Sequence, residues 1–315
     1  MAQSETHSRN ELVGRLRVMP GADVELGRDF DPALKIGWRK DESAAVLRHH
    51  VQLLADYQDR LAAEAARGVL IVLQGIDASG KDGTIRHVMS GVNPQGVTVH
   101  SFKVPSAEEL RHDFLWRYSR ELPGRGQIGI FNRSHYEEVL VVRVHPELLG
   151  PERLPAGMAP EHLWHRRYRD INDWERHLSE NGFTIVKLFL NLSKEEQRTR
   201  FMKRIDLADK NWKFSASDAQ ERERWDDYQV AYSQMLSHTS TEWAPWHVIP
   251  ADRKWFARIA VSAVIISALA ELDPRYPTIS GEDRAALEQA RAQLEAQAPA
   301  GAAADPFAQQ RARQT

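Results

Sequence analysis

Residues 68–84, GVLIVLQGIDASGKDGT, decide how the fold is read. The apolar run at 69–73 is typical of a strand covered on both faces of a parallel sheet. A glycine turn with the pattern G-x-x-x-x-G-K follows at 75–81, and apolar residues at helical spacing come next. Strand, glycine turn and helix in this order are the context in which the pattern holds anionic groups. The stretch therefore predicts an α/β fold with an anion site at the start of a helix.

Further strands are predicted along the chain, and helical patterns separate them. They lie at residues 97–103, 128–131, 183–190 and 246–250. Strands that alternate with helices indicate a doubly wound parallel α/β sheet. Residues 106–109 and 193–196 have the sequence of a capping box, in which a hydroxyl and a carboxylate satisfy each other's backbone N–H groups.

The organisation along the chain is predicted in three parts. Residues 1–41 contain Gly and Pro interruptions and predict an irregular N-terminal arm. Residues 42–276 form the core, which begins with a helix at 43–67. Residues 277–315 predict one charged, Ala-rich helix and then a disordered tail, because the tail has too few apolar residues to pack.

Composition excludes several classes of function. The 42 Lys and Arg residues nearly balance the 44 Asp and Glu residues, which argues against a protein that coats nucleic acid by bulk positive charge. The chain has no cysteine, so it has no disulfide, no thiolate catalysis and no cysteine zinc site.

The location of the protein is predicted from its apolar segments. The polar start of the chain lacks the apolar segment of a secretory signal. The apolar stretch at 259–270 is shorter than the roughly 20 residues that cross a bilayer, and it predicts a buried helix. We therefore expect a cytoplasmic protein with no membrane or nucleic-acid partner.

One lysine and two carboxylates determine the chemistry of the glycine turn. Glycines let backbone N–H groups face inward, the helix dipole favours an anion, and Lys81 adds a positive charge. Asp82 stands where the pattern usually has Ser or Thr, and Asp77 lies inside the turn. Two carboxylates repel phosphate unless a cation lies between them, which predicts Mg²⁺ held by Asp77 and Asp82. The alternative is that Asp77 or Asp82 caps the helix; this competes seriously for Asp82 at the helix start, whereas the metal-linked role is favoured for Asp77.

Polar residues, NRSHYEE, follow the predicted strand at 128–131. Ligands of open α/β sheets bind beyond the carboxyl ends of the strands. Arg133 is the candidate phosphate contact there, and Glu137 is a candidate acceptor of hydrogen bonds from a nucleotide. The alternatives are a surface ion pair for Arg133 and a helix N-terminal carboxylate for Glu137.

A basic segment follows the predicted strand at 183–190. Its cations include Arg200, Lys203, Arg204, Lys210 and Lys213. The first three share one face of a helix, and residues 206–213 then interrupt that helix. This arrangement predicts a mobile lid at about 193–237 that closes on a polyanion. The alternative is an ordinary solvated helix, because two glutamates one turn earlier pair with part of the charge.

Six blocks of sequence together resemble the family-2 polyphosphate kinases, and class III within them most. The blocks are GIDASGKDGTIRHVMSGVNPQG (75–96), SFKVPSAEELRHDFLWR (101–117), FNRSHYEEVLVVRVH (131–145), SKEEQRTRF (193–201), KNWKFS (210–215) and APWHVIPADRKWF (244–256). The resemblance runs from about residue 30 to 276. Several separated blocks in one order are far more specific than a lone glycine turn.

The resemblance implies a P-loop kinase core related to thymidylate kinase, with a helical lid. It also implies reversible phosphoryl transfer between inorganic polyphosphate and nucleotides (AMP, ADP and ATP) with Mg²⁺, in a homodimer or homotetramer. Glu137 lies where the acceptance of both AMP and ADP has been placed. Asn132 stands where many relatives have Asp, which leaves open whether that position contributes to the metal site.

The resemblance also assigns roles to individual residues. Asp77, Lys81 and Arg133 are implied as catalytic. The implied nucleotide or phosphate contacts are Gly75, Ala78, Gly80, Asp82, Gly83, Thr84, Asn132, Glu137, Arg200, Arg204, Lys210 and Lys213. Two other functions stay open at this point: an ATP-dependent nucleoside monophosphate kinase on the same core, and a non-catalytic partner protein regulated by nucleotides.

Overall fold

The computed structural model describes residues 2–36, 38–149, 160–211, 216–299, 305 and 307. Contacts divide the chain into two compact units, residues 1–275 and 276–315. The first unit contains the sheet and every residue of the candidate site. The second contains the helix Gly281–Ala296, which Ser280 caps through the backbone N–H of Asp283 and which buries no residue. The predicted disorder of 297–315 falls largely outside the described residues.

The described part of the first unit contains one sheet of five parallel strands. They are β1 (Gly68–Gln74), β2 (Val97–Ser101), β3 (Ile128–Asn132), β4 (Phe183–Asn191) and β5 (Trp246–Pro250). Their order is β2-β3-β1-β4-β5, so β1 lies at the centre. Every residue of β1 is buried, which requires that helices cover both faces of the sheet. The predicted doubly wound α/β fold is confirmed.

Helices surround this sheet. They are α1 (Ala2–Leu16), α2 (Leu26–Asp29), α3 (Ser43–Glu64), α4 (Lys81–Val88), α5 (Trp116–Ser119), α6 (Val141–Val144), α7 (Pro160–Glu180), α8 (Lys194–Asp206), α9 (Ala216–Glu221), α10 (Trp225–Thr239) and α11 (Lys254–Leu272), with α12 (Gly281–Ala296) in the second unit. Helices α1, α3 and α4 pack against α11, whereas α6 and α7 pack against α10. The predicted lid region is helical in α8, α9 and α10.

The prediction of an irregular N-terminal arm is wrong for residues 2–16. Leu12 and Leu16 of α1 are buried, and the helix packs against α11 and β5. The backbone N–H of Val18 then donates to the carbonyl of Trp246 at 2.8 Å, which attaches the chain to the edge strand. Two leucines four residues apart are too sparse a pattern to reveal a helix that only tertiary packing stabilises.

Helix α11 is the apolar helix that the sequence predicts to be buried. By length and composition it could cross a membrane, but most of its apolar residues are packed inside the fold. It contacts α3 and both β4 and β5. The helix therefore serves as the core of one helical layer.

Candidate functional site

The glycine turn (residues 75–82) joins the central strand β1 to helix α4, as the sequence predicts. Gly75 has φ +153°, and a Cβ there would lie 2.8 Å from Ser79 Oγ and 3.0 Å from the Leu190 carbonyl oxygen. Gly80 has φ +104° and precedes the first residue of α4. Both positions therefore require glycine. Ala78 also lies in the left-handed region, with φ +64°, although it is not glycine. Such a strained conformation persists only where the surrounding structure enforces it.

Lys81 folds back over the turn that precedes it. Its Nζ donates to the carbonyl oxygens of Gly75 at 2.5 Å and Ile76 at 3.4 Å. Burial lowers the pKa of Lys81, and the nearby guanidinium of Arg133 lowers it further, while carboxylates around it oppose both effects. The ammonium group thus lies beside the mouth of the turn, where an anion would improve its electrostatic surroundings.

Arg133 meets Asp77 although 56 residues separate them. Its Nη2 donates to Asp77 Oδ1 at 2.8 Å, and its Nη1 lies 3.5 Å from Glu137 Oε2. Burial by itself lowers the pKa of Arg133, but these two carboxylates raise it overall. Burial raises the pKa of Glu137. The ion pair that sequence reasoning offered as an alternative for Arg133 exists, and it lies inside the site rather than on a remote surface.

Asp82 and Asn132 form the second polar pair of the site. Asn132 Nδ2 donates to Asp82 Oδ1 at 2.8 Å and to Ser101 Oγ at 3.2 Å. No side chain caps α4, so the alternative role of Asp82 as a helix cap is not observed. The Asn132 Oδ1 atom is buried without a hydrogen-bond partner.

The donor set fits Mg²⁺ shared with substrate. Asp77, Asp82 and Asn132 all line one cavity, and their carboxylate and amide oxygens are of the type that Mg²⁺ binds. Among the described residues, no group of three or more His, Cys, Asp or Glu side chains is arranged to hold a metal alone. Mg²⁺ characteristically uses one or two carboxylates and completes its shell with water and phosphate oxygens.

A cavity of about 1500 Å³ opens beside the glycine turn. Twelve Lys and Arg side chains line it against five carboxylates. Seven of the twelve form no ion pair or hydrogen bond within the described parts of the chain: Lys40, Arg86, Lys103, Lys203, Lys210, Lys254 and Arg258. Burial and neighbouring cations lower the pKa of Lys254 and of Arg258. Such a wall of uncompensated positive charge favours a polyanion.

Sequence reasoning assigned no role to five of these cations: Lys40, Arg86, Lys103, Lys254 and Arg258. Lys103 follows β2 and Lys254 follows β5, at the same edge of the sheet as the glycine turn. Because carboxyl ends of parallel strands meet at one edge, this placement is the signal that would have found Lys103 and Lys254.

Arg200 does not project freely into the cavity as a lid cation was expected to do. Its Nη1 donates to the Ala78 and Ser79 carbonyls at 3.0 and 2.8 Å, and its Nη2 donates to Ala251 at 2.5 Å. Its Nε donates to Glu196 at 2.9 Å. Arg200 therefore braces the glycine turn, and the protein already uses the N–H groups that the prediction reserved for polyphosphate.

The remaining predicted contacts are placed as follows. Gly83, Thr84, Arg204 and Lys210 all line the cavity. The guanidinium of Arg204 also lies over the Phe201 ring, 5.3 Å from its centroid. Lys213 lies outside the described residues.

A second cavity of about 460 Å³ lies between α7 and the segment that follows β2. Six of its eight Asp, Glu and Arg side chains form ion pairs with each other: Arg117 with Glu109 at 3.1 Å, Arg167 with Glu138 at 3.2 Å and Arg166 with Asp170 at 3.7 Å. Apolar side chains complete the lining: Pro105, Leu110, Phe114, Leu115 and Leu163. Val104 lines the first cavity and Pro105 the second, so a single residue step separates them.

The sequence of the chain matches a known protein family. Residues 37–277 match the family model of Polyphosphate kinase 2. The chain belongs to the polyphosphate kinase 2 family. The predicted resemblance is confirmed, and it spans the whole sheet and all the described site residues.

Named relatives agree with the family. The chain is 51% identical over 284 residues to an "ADP-polyphosphate phosphotransferase" of Rhodopseudomonas palustris, covering 89% of this chain and 97% of that protein. It is 45% identical over 268 residues to an "AMP/ADP-polyphosphate phosphotransferase" of Meiothermus ruber, covering 84% and 95%. The crystal structure of Polyphosphate Kinase 2 from Arthrobacter aurescens superposes with a TM-score of 0.78 at 41% identity, covering 87% of this chain and 95% of that chain. The fold is that of a P-loop kinase.

Proposed function

We propose that this polyphosphate kinase 2 transfers the terminal phosphoryl group of inorganic polyphosphate to AMP or ADP, reversibly and with Mg²⁺. The observation that carries the proposal is the cationic cavity beside the glycine turn, in which seven cations form no ion pair or hydrogen bond with the described residues. A nucleotide alone has few charges for such a wall, whereas a phosphate polymer has one on every unit. The names of the relatives from Rhodopseudomonas palustris and Meiothermus ruber support the same reaction.

Catalysis in this site is positioning and neutralisation of charge, without a covalent enzyme intermediate. Lys81 and Arg133 hold the transferred group from two sides. Asp77 orients Arg133 through their 2.8 Å hydrogen bond and, with Asp82, belongs to the oxygen set that would hold Mg²⁺. The metal, when bound, spreads the negative charge of the phosphates.

The second cavity suits the nucleoside part of the acceptor. Its paired charges and apolar lining fit a neutral heterocycle and its sugar better than another anion. Glu137 lies beside Arg133 in the catalytic site, whereas its neighbour Glu138 lines the second cavity. A nucleotide with its phosphate at Arg133 would therefore extend its base toward α7.

The test is the choice of phosphoryl donor. AMP incubated with polyphosphate and Mg²⁺, without ATP, should yield ADP and then ATP. Formation of ADP only when ATP is supplied would indicate the ATP-dependent alternative. Binding of nucleotide by calorimetry without turnover under any donor would indicate the non-catalytic alternative.

Assembly and location complete the proposal. We expect a cytoplasmic homodimer or homotetramer that acts on soluble substrates, with no nucleic acid or membrane as partner. Light scattering of the purified chain tests the assembly, because a mass near 35.9 kDa would mean a monomer. Competition by single-stranded DNA against polyphosphate tests whether the cationic wall discriminates between the two polymers.

A further inference from the structure

A cluster of four buried polar side chains lies behind the site, outside both cavities. It consists of His135, Tyr136, Glu175 and Lys187, each with essentially no exposure to solvent. Lys187 Nζ donates to Glu175 Oε2 at 2.6 Å and to the Tyr136 hydroxyl at 2.9 Å. Glu175 Oε1 accepts from the Tyr136 hydroxyl at 2.8 Å and lies 3.1 Å from His135 Nε2.

Burying the charged groups of this cluster costs free energy, because the groups lose their contact with water. Burial alone raises the pKa of Glu175, but Lys187 and His135 lower it overall, while burial lowers the pKa of Lys187. A buried ion pair typically contributes no more stability than apolar residues of the same volume. Stability alone therefore gives no reason for placing two charges under the sheet, and their connections indicate another role.

One connection leads directly to Arg133. Arg133 has φ +62°, a conformation that residues other than glycine rarely adopt and that persists only where neighbours enforce it. Its backbone N–H donates to the Leu73 carbonyl, and Ser134 Oγ accepts from Gln74 at 3.1 Å. The two residues after Ser134, His135 and Tyr136, both contact the carboxylate of Glu175. The cluster thus holds the backbone immediately after the strained residue.

The other connection leads to α10, the last helix of the predicted lid region. Lys187 Nζ donates a third hydrogen bond, at 2.6 Å, to the carbonyl of Thr239, the last residue of α10. In the same helix, burial raises the pKa of Tyr232 and the charge of Glu137 raises it further, while the charge of Arg133 opposes both effects. The ion pair therefore joins β4, α7 and α10 to the segment after β3, which carries Arg133 and Glu137.

We propose that Glu175 and Lys187 are positioning residues for phosphoryl transfer. They act through His135 and Tyr136 to keep the Arg133 guanidinium against Asp77 and the mouth of the glycine turn. This inference rests on the proposed function. It predicts that loss of the pair lowers kcat without weakening polyphosphate binding, because the cationic wall is built from other elements.

The first test replaces the pair without leaving a buried charge. Glu175→Gln/Lys187→Met should fold, with a melting temperature within about 5 °C of the wild type. Its kcat should fall about 100-fold, because small misplacements of a group that contacts the transferred phosphoryl cost that much. The KM for polyphosphate should stay within about twofold. A folded double variant with wild-type kcat would overturn the proposal.

A second variant keeps the proposal falsifiable if the double variant does not fold. Tyr136→Phe removes only the hydroxyl between Glu175 and Lys187 and keeps the ring against Trp246. It should lower kcat about tenfold in the wild type, but leave it unchanged in an Arg133→Ala background, since the hydroxyl acts through Arg133. Equal effects in both backgrounds, or none in the wild type, would contradict the proposal.

A matched control separates positioning from loss of stability. Ser262→Ala breaks an equally buried hydrogen bond, to His50 at 2.7 Å, that joins α3 and α11. It should lower the melting temperature and leave kcat at 25 °C unchanged. If wild-type protein transfers no phosphoryl group from polyphosphate, the proposed function fails, and this outcome is distinct from a positioning failure, which requires an active wild type.

Discussion

At the scale of single residues, the side chains around the glycine turn already form hydrogen bonds with one another or with the backbone of the turn. Arg133 bonds to Asp77, Asn132 bonds to Asp82, and Lys81 bonds to the turn itself. The arrangement is pre-organised, because the groups that would hold a phosphoryl unit are fixed before any substrate binds. Substrate and Mg²⁺ would then exchange partners within this set rather than assemble it.

Asp77→Asn tests the carboxylate that links the two halves of the site. It should reduce kcat more than 100-fold, because the amide neither pairs with the Arg133 charge nor holds Mg²⁺ equally well. The side chain is partly exposed, so thermal unfolding should barely change. Asp59→Asn, on the exposed face of α3, is the control and should behave as the wild type. Near-wild-type activity of Asp77→Asn would remove this residue from the mechanism.

Arg200→Met separates the brace from the expected polyphosphate contact. Loss of the hydrogen bonds to Ala78 and Ser79 should disorder the glycine turn, lowering kcat at least 10-fold and the melting temperature by several degrees. Arg198→Met, on the exposed side of the same helix, should change neither quantity. A rise confined to the KM for polyphosphate would restore Arg200 as a direct polyphosphate ligand.

At the scale of elements, the sequence predicts what local chemistry determines. The apolar run of β1 and the glycine turn are confirmed, because burial on two faces and positive φ leave few alternative residues. Because ligands bind beyond the carboxyl ends of parallel strands, the sequence also predicts that Arg133 and Asp77 approach the same ligand. What it misses depends on long-range packing: α1 is a helix only because Leu12 and Leu16 find α11 and β5.

One contact of the predicted lid region depends on protonation. His145 Nε2 lies 2.7 Å from Glu221 at the end of α9, and its Nδ1 lies 3.0 Å from Glu147. Only the imidazolium form of His145 has an N–H group on both ring nitrogens and can donate both hydrogen bonds at once. Burial alone lowers the pKa of His145, but the two carboxylates raise it overall above 6.5. Its stabilising effect is therefore complete below pH 6.5 and is lost as pH rises through the raised pKa.

Hydrogen exchange measures this dependence. In the wild type, opening of residues 219–228 relative to the core should increase on going from about pH 6 to about pH 8, after correction for intrinsic exchange. His145→Gln should show the faster opening at both values. A wild-type opening equilibrium that is constant across this range would show that the histidine does not fasten the lid.

At the scale of the whole molecule, the fold gathers cations that are distant in sequence. Lys40 precedes α3, Lys103 follows β2, Arg86 lies in α4, and Lys254 and Arg258 lie in α11. No local pattern joins them, and therefore sequence reasoning found the lid cations of α8 but not these. It did not anticipate the bracing role of Arg200 for a related reason, since only the fold shows that its donors meet backbone carbonyls.

The central claim is that these unpaired cations bind polyphosphate. The most direct measurement is the KM for polyphosphate, at saturating AMP, of the wild type and of Lys254→Gln/Arg258→Gln. Each lost cation removes a charge-assisted hydrogen bond to polyphosphate, and each loss should raise the KM for polyphosphate about tenfold. The KM of the variant should also depend less on salt than the KM of the wild type. The KM for AMP should stay within about twofold. An unchanged KM for polyphosphate at low salt would contradict the account.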